Sequence, residues 1–347
     1  MISIKDVAEL AQVSIATVSR YVNSPDQVRA PTAKRVADAI EKTGYKANSL
    51  ARNFRTGKTK QIMVVLPSVG IPFYGPILEG VRKVADVSGY HILVMETAYN
   101  SVEFDDFTKM VMSKQTDGII LLSSLSPFKK TYLGSTDAHP PIVLGLEGIS
   151  TELSDFPCVC IDNEAAARDA TEYLINMGHQ KIGYLHGYIG FISDAQESES
   201  KLTETRATTF RNTMFAKKLT VNEDWIVKAP MSVNGGRQAA KELLTRSTLP
   251  TALFCANDEM ALGAMFEIKK AGLRIPQDIS IIGLDNMLYG EISDPPLTTI
   301  EQPSEIIGAR SMEQLLDLIT EKPIKNKIEI VAHKLIERES CTPPGTR

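Results

Sequence analysis

The rhythm of hydrophobic and polar positions changes near residue 60. Before it, apolar residues recur at helical spacing. Ile4, Val7, Ala8 and Ala11 fall on one face of a first helix, and Gln12-Val13-Ser14 interrupts the pattern. Ser14 is placed to cap a second helix over residues 15–22, with Val18, Tyr21 and Val22 facing inward. A polar loop, residues 23–30, leads to Pro31, a residue suited to the first position of a third helix. Ala33, Val36, Ala37 and Ile40 supply that helix's apolar stripe, and Gly44 supplies its stop. Three short helices with a tight turn between the first two predict a helix-turn-helix head, with a generic three-helix bundle as the alternative. The outer face of the second helix is Ile15, Ala16, Thr17 and Arg20. Small and apolar groups beside one arginine suit a DNA major groove, where methyl contacts and a guanidinium can read base edges.

After residue 60, apolar runs of four to six residues alternate with helical stretches. Strands are predicted at 62–67, 91–96, 118–123, 142–145, 158–162, 181–186, 252–256 and 279–284. Helices are predicted at 77–88, 103–113, 164–177, 203–218, 235–245 and 259–271. Continuous apolar strands between helices mean parallel sheets covered on both faces. Two such series predict two doubly wound subdomains with a cleft between them, and ligands in such sheets bind at the strands' carboxyl ends. Between head and core, residues 46–60 carry five basic residues and no acidic one. The amphipathic stretch within this segment is too short to hold a helix alone in water, so it reads as a linker that folds on a partner.

Charge sharpens the division. Residues 1–60 hold 11 Lys/Arg and 5 Asp/Glu, a net of +6, whereas residues 61–347 hold 27 and 37, a net of −10. A basic head on an acidic body is the asymmetry expected when one segment meets a polyanion. The composition, 43% hydrophobic and 23% charged over 347 residues, is that of globular chains and excludes collagen, coiled coil and bulk disorder. No apolar stretch approaches the ~20 residues of a membrane span. The start, Met1-Ile2-Ser3-Ile4-Lys5-Asp6, has no basic region followed by an apolar run, which predicts no secretory signal. Four cysteines make no disulfide framework and point to the reducing cytoplasm.

Enzyme signatures are missing. The sequence contains no G-x-G-x-x-G, G-x-S-x-G or H-E-x-x-H. Gly57-Lys58-Thr59 mimics the end of a phosphate loop, but Arg52 stands where the first glycine belongs. His179 follows Gly178 at a helix end, where capping is the expected role. Cys158 and Cys160 point the same way from a strand, as a metal pair or as two small core residues. Asp162, Asp258 and Asp285 each follow a strand, a position for a ligand-binding carboxylate; for Asp162 and Asp258 it is equally a position for a helix cap.

The head, Ile4-Lys5-Asp6-Val7-Ala8 through Val13-Ser14-Ile15-Ala16-Thr17-Val18-Ser19-Arg20 and Asn23 to Gly44-Tyr45, resembles the LacI/GalR family of bacterial transcriptional regulators. Ser49-Leu50-Ala51-Arg52-Asn53-Phe54 resembles that family's hinge helix. In the core, Phe73-Tyr74, Ile161-Asp162-Asn163, Gly178-His179-Gln180-Lys181, Asn257-Asp258-Glu259-Met260-Ala261-Leu262-Gly263 and Asp294-Pro295-Pro296-Leu297-Thr298-Thr299 match in the same order. The likeness runs over residues 2–339.

This resemblance implies a small all-α helix-turn-helix head, residues 1–46, a hinge helix and linker, 47–60, and an effector-binding and dimerisation core, 61–347. The core would be an α/β body of two doubly wound parallel-sheet subdomains of periplasmic-binding-protein type. One subdomain is expected at 61–160 with 293–322, the other at 161–292 with 323–347. The implied function is a DNA-binding transcriptional repressor controlled by a small effector, with no cofactor, no metal and no enzyme activity. A soluble sugar-binding protein without a DNA role is the alternative, and it would not need residues 1–60. The implied partners are a near-palindromic DNA operator, a second copy of the chain, and a sugar or nucleoside. DNA contacts fall to Ser14, Ile15, Ala16, Thr17, Ser19, Arg20 and Asn23 in the head, and to Ser49, Leu50, Arg52, Asn53, Phe54 and Arg55 in the hinge. Phe54 stands where the family wedges a leucine between base pairs, and Ala47 where it has a proline. Effector contacts fall to Phe73, Ser124, Arg206, Met231, Asn257, Asp285 and Gln302. Met231 replaces a stacking aromatic, and the acidic loop before Arg206 is longer than usual.

Overall fold

A computed structural model of the chain describes residues 2–45, 58–97, 115–122, 139–146, 155–188 and 201–345. The chain forms two compact units, residues 1–59 and 60–347. The hinge residues Ser49, Leu50, Arg52, Asn53, Phe54 and Arg55, the helix expected at 103–113, Ser124 and most of the acidic loop lie outside the described residues.

The first unit is three helices, α1 (Ile4–Ala11), α2 (Ile15–Asn23) and α3 (Ala30–Thr43). Ser3 and Asp6 close a reciprocal cap on α1, a Ser-x-x-Asp signal that the apolar pattern alone does not show. Gln12 ends α1 in the left-handed region, φ 55°, and lets Val13 N–H reach Ala8 O at 3.0 Å. That tight turn brings α2 back across α1. Val7, Ala8, Ala11, Val18, Val36 and Ala39 form the sealed centre, with Ile4, Tyr21, Val22 and Ile40 around it. α3 starts one residue before Pro31, behind Arg29, which makes no side-chain cap bond, and it ends at Gly44 with φ 63°.

The second unit holds two six-stranded sheets. Strands β1 (Gln61–Leu66), β2 (His91–Glu96), β3 (Gly118–Leu121), β4 (Ile142–Gly145), β5 (Cys158–Cys160) and β11 (Ile328–Ile330) form one, in the order β11-β5-β4-β3-β1-β2. All five of its pairings are parallel. The other comprises β6 (Ile182–Tyr188), β7 (Ile226–Pro230), β8 (Ala252–Cys255), β9 (Ser280–Asp285), β10 (Thr298–Glu301) and β12 (Lys334–Ile336), in the order β12-β10-β9-β8-β6-β7. Only β10–β12 is antiparallel. Alternate residues of β1 serve opposite faces: Ile62, Val64 and Leu66 join one core cluster, Met63 and Val65 another. Both sheets therefore have the buried, doubly wound character read from the apolar runs.

Helices α4 (Tyr74–Val87), α5 (Asn163–Asn176), α6 (Lys201–Ala216), α7 (Val233–Leu244), α8 (Asp258–Lys270), α9 (Leu288–Glu291) and α10 (Ser304–Ile319) complete the unit. α4 packs tightly on α10 because two glycines let the backbones meet. A Cβ on Gly80 would lie 2.0 Å from Glu305 O, and one on Gly308 would lie 2.0 Å from Ile77 O.

The subdomain boundaries need correction at the C-terminal side. Residues 298–301, expected with the first subdomain, are β10 of the second sheet, and residues 328–330, expected with the second, are β11 of the first. The chain thus crosses between sheets after β5, after β10 and after β11. Short strands with threonines or exposed edge positions carry no long apolar run, so their partners are set by pairing at a distance. The N–H of His179 does help close the end of α5, donating to Leu174 O at 3.2 Å, but its side chain has a second role. It is buried, with Nδ1 2.9 Å from Thr251 Oγ1 and Nε2 2.9 Å from Thr342 O, and so ties the C-terminal segment to the sheet. Cys158 and Cys160 pack with Phe156 in the core of the first sheet.

Candidate functional site

The head presents one face of α2. Ser14 caps the helix, accepting from Thr17 N–H at 3.1 Å, and its hydroxyl lies 2.9 Å from Thr17 Oγ1. Ser14 and Thr17 thus spend hydrogen-bonding capacity on holding the helix start, a role that spacing alone also predicts. Val18 points inward and is fully buried, which turns Ile15, Ala16 and Arg20 out to solvent; Thr17 and Ser19 are half-buried at the edge. Ile15, 48% exposed, is an apolar side chain left in water beside Ala16 and Arg20. Asn23 is the last residue of α2. Lys5, Arg29, Lys34, Arg35 and Lys42 are exposed as well, so the head's positive charge stands at its surface.

The core places a cavity of about 540 Å³ beside the segment that crosses from β10 to α10. Three stretches wall it: Pro72, Phe73 and Pro76 at the start of α4; Asp285 and the following turn to Tyr289; and the segment from Glu301 to Ile306. Of the expected effector residues, Phe73, Asp285 and Gln302 are brought to this one wall. The ring of Phe73 is steadied by an edge contact with Tyr74, centroids 5.4 Å apart. Among the described residues of this wall are the carboxyls of Asp285, Glu301 and Glu305, and no lysine or arginine.

Asp285 ends β9 and is buried. Gln302 Nε2 donates to its Oδ1 at 2.7 Å. Burial pushes the Asp285 carboxyl up to about 8. The positive charge of Arg206 and the Gln302 bond pull it down, and the neighbouring carboxylates of Asp258 and Glu259 add to the rise. The backbone is held in unusual shape here, with φ 130° at Asp285 and 57° at Asn286. Such conformations cost about 1–3 kcal/mol each and persist where surroundings over-determine them. The surroundings do so: Arg338 Nη2 donates to Asn286 Oδ1 at 2.7 Å, Asn286 Nδ2 donates to Glu301 Oε1 at 3.1 Å, and Met287 N–H donates to Asp258 Oδ2 at 2.7 Å.

Arg206 is buried beside this wall rather than on it, close enough for its charge to act on Asp285. Its Nε and Nη2 both donate to Asn163 Oδ1, at 3.1 and 2.8 Å, and Nη1 donates to Ala256 O at 2.7 Å. Asn257 caps α8, accepting from Met260 N–H at 2.9 Å, and is nearly buried. Met231 is not on the cavity wall. Its side chain fills the space beside Gly187, and its N–H donates to Tyr188 O at 3.0 Å.

The three strand-end carboxylates separate. Asp162 is a cap, accepting from Ala165 N–H at 2.9 Å. Asp258 is not; it is fully buried and also accepts from Thr299 Oγ1 at 2.6 Å, and burial raises it to about 6. Asp285 alone stands on the cavity wall. Among the described residues no group of three or more His, Cys, Asp or Glu side chains could hold a metal ion, and no helix is long and apolar enough to cross a membrane. Sequence reasoning missed the bracing role of Asn163 and the buried role of Asp258.

Residues 3–48 match the family of bacterial regulatory proteins named for lacI, and residues 171–341 match a periplasmic binding protein-like domain. The HTH-type transcriptional repressor CytR of Escherichia coli (strain K12) is 35% identical over 338 residues, 97% of this chain and 96% of that one. The HTH-type transcriptional repressor PurR of Vibrio cholerae serotype O1 (strain M66-2) is 33% identical over 341 residues, 98% of each chain. Among solved structures, the lac repressor dimer bound to operator and the anti-inducer ONPF superposes with a TM-score of 0.82 at 25% identity, over 98% of this chain and 99% of that one. A helix-turn-helix head, a two-sheet core with a cleft, and likeness along nearly the whole length agree: the chain belongs to the lacI family of bacterial regulatory proteins.

Proposed function

We propose that the protein is a homodimeric transcriptional repressor whose affinity for a near-palindromic operator is set by a small effector in the core cleft. The observation that carries this reading is Asp285. A buried carboxyl, held by Gln302 in a strained turn, faces a cavity in a chain that also carries a helix-turn-helix head. Such a group costs stability and suits a ligand that brings hydrogen-bond donors to it. Phe73 offers an apolar face for a sugar ring or base. Among the described wall residues no lysine or arginine stands ready for a phosphate, which supports an uncharged sugar or nucleoside over a phosphorylated one.

The second copy docks on the core. Phe266, Leu288, Tyr289 and Ile292 are all more than half exposed, and Lys269 joins the end of α8 to Asp294 at 2.6 Å, next to Ile292. Exposed apolar groups of this kind mark association surfaces. The hinge, with Ser49, Leu50, Arg52, Asn53, Phe54 and Arg55, folds on DNA and wedges Phe54 into the minor groove. The protein works in the cytoplasm, with no cofactor, as a regulator and not an enzyme. A thermal-shift screen of pentoses, nucleosides and purines tests the effector: a ligand at 100 times its Kd adds about 2.7 kcal/mol. Operator selection with the full chain tests the head; a chain that binds a sugar but selects no DNA sequence is a sugar-binding protein instead.

A further inference from the structure

Arg206 and Asp285 are each held by a neutral carboxamide, and each carboxamide lies near a crossing between the two sheets. Arg206 is held by Asn163, the first residue of α5, which follows the crossing from β5. Asp285 is held by Gln302, which follows β10 and precedes α10 on the way back to the first sheet. The two bonds are long-range, 43 and 17 residues apart in sequence, so neither arises from local helix or turn geometry.

The choice of amide has a physical consequence. A buried guanidinium must have its N–H groups bonded. A carboxylate would bond them and also cancel the charge. Asn163 Oδ1 accepts twice with its two lone pairs and carries no charge, so it fixes the plane of Arg206 and leaves the cation acting on Asp285. Gln302 likewise donates to Asp285 without a positive charge. A group entering the cleft therefore meets an Asp285 carboxyl that is oriented without an ion pair, backed by an oriented Arg206 whose charge is not cancelled by its brace. Any shift of either side chain pulls on a residue within three positions of a strand from which the chain crosses between sheets.

We propose that Asn163 and Gln302 are positioning residues that couple the Arg206 and Asp285 side chains to the angle between the subdomains. Asn163 has no role among the expected site residues, and Gln302 acts here through Asp285 rather than by touching the effector alone. The proposal rests on reading the cleft as an effector site, but its test needs no effector.

The test is a spin-label distance measurement on the full chain. Nitroxides at Val87→Cys and Phe215→Cys, two highly exposed positions, report on the two subdomains. Cys160→Ser clears the one described cysteine that is not buried. The expected result is that Asn163→Ala and Gln302→Ala each broaden or shift the distance distribution. Asn163→Asp, which still accepts both guanidinium bonds, restores it, a rescue that a merely structural role would not give. Should Asn163→Ala fail to fold, Asn163→Ser, too short to brace Arg206, replaces it with the same expectation. Wild-type distributions in the folded alanine or serine variants would overturn the proposal. So would an Asn163→Asp distribution as broad as that of Asn163→Ala. A wild-type chain that ignores every effector tried would sink the effector reading alone.

Discussion

Gln302 Nε2 donates to Asp285 Oδ1 across 2.7 Å, joining residues at the carboxyl ends of neighbouring parallel strands. The bond fixes a buried carboxyl at the point where the chain leaves one sheet for the other. It also sets a pH dependence for the core.

The folded chain holds the Asp285 proton up to about 8, against an ordinary value of 3.8. Between those values the unfolded chain has lost the proton and the folded chain keeps it, so stability falls as pH rises and the cost levels off above 8. Asp258, raised to about 6, acts in the same direction. Asp285→Asn removes the first contribution. Its stability relative to wild type should rise from pH 5 to pH 8 by a few kcal/mol, on the order of 1.4 kcal/mol per pH unit. Urea unfolding at the two pH values measures this, and an equal difference at both would contradict the assignment.

Gly80→Ala drives a methyl into the backbone of α10, since its Cβ would sit 2.0 Å from Glu305 O. The helices must separate, and the expected loss is about 1–3 kcal/mol or more. Thermal unfolding of the core reads it; an unchanged midpoint would mean that α4 and α10 do not pack this closely.

Arg20→Ala should weaken operator binding by about 1–3 kcal/mol and relax base preference at one position per half-site. Competition between operator and random duplex separates the cases, because equal loss on both makes Arg20 a phosphate contact. With a head of net charge +6, operator affinity should also fall with salt, at a log–log slope on the order of −5 to −10 for a dimer.

Phe54→Ala should keep effector affinity and lose operator affinity, because it removes the apolar wedge without touching the cleft. Calorimetry with an effector found in the screen, beside an operator titration, gives both numbers. Retained operator affinity would remove the hinge from the account.

The head was legible because its signals are local: Ser14, Val18 and Gly44 act within a few residues of themselves. The long apolar strands were legible for the same reason. Thr298–Glu301 and Ile328–Ile330 were misassigned because their pairing partners, β9 and β5, are distant in sequence. Phe73, Asp285 and Gln302 line one cavity wall, whereas Arg206 and Asn257 lie off it and Met231 faces Gly187. His179 caps α5 through its N–H as expected, whereas its side-chain ties to Thr251 and Thr342 join partners distant in sequence. Asn163 could not be assigned at all, since its partner Arg206 is brought to it only by the packing of α5 and α6.

The central claim is that the cleft controls the head. The direct measurement is an anisotropy titration of the full chain onto its selected operator, with and without pentoses, nucleosides and purines, for wild type and Asp285→Ala. The account predicts that one of these compounds changes the wild-type Kd about 5- to 150-fold, a coupling of about 1–3 kcal/mol. Asp285→Ala should bind the operator nearly as wild type does without the compound and lose the change. An Asp285→Ala chain that responds as wild type does, or a wild type that responds to none of them, would contradict it.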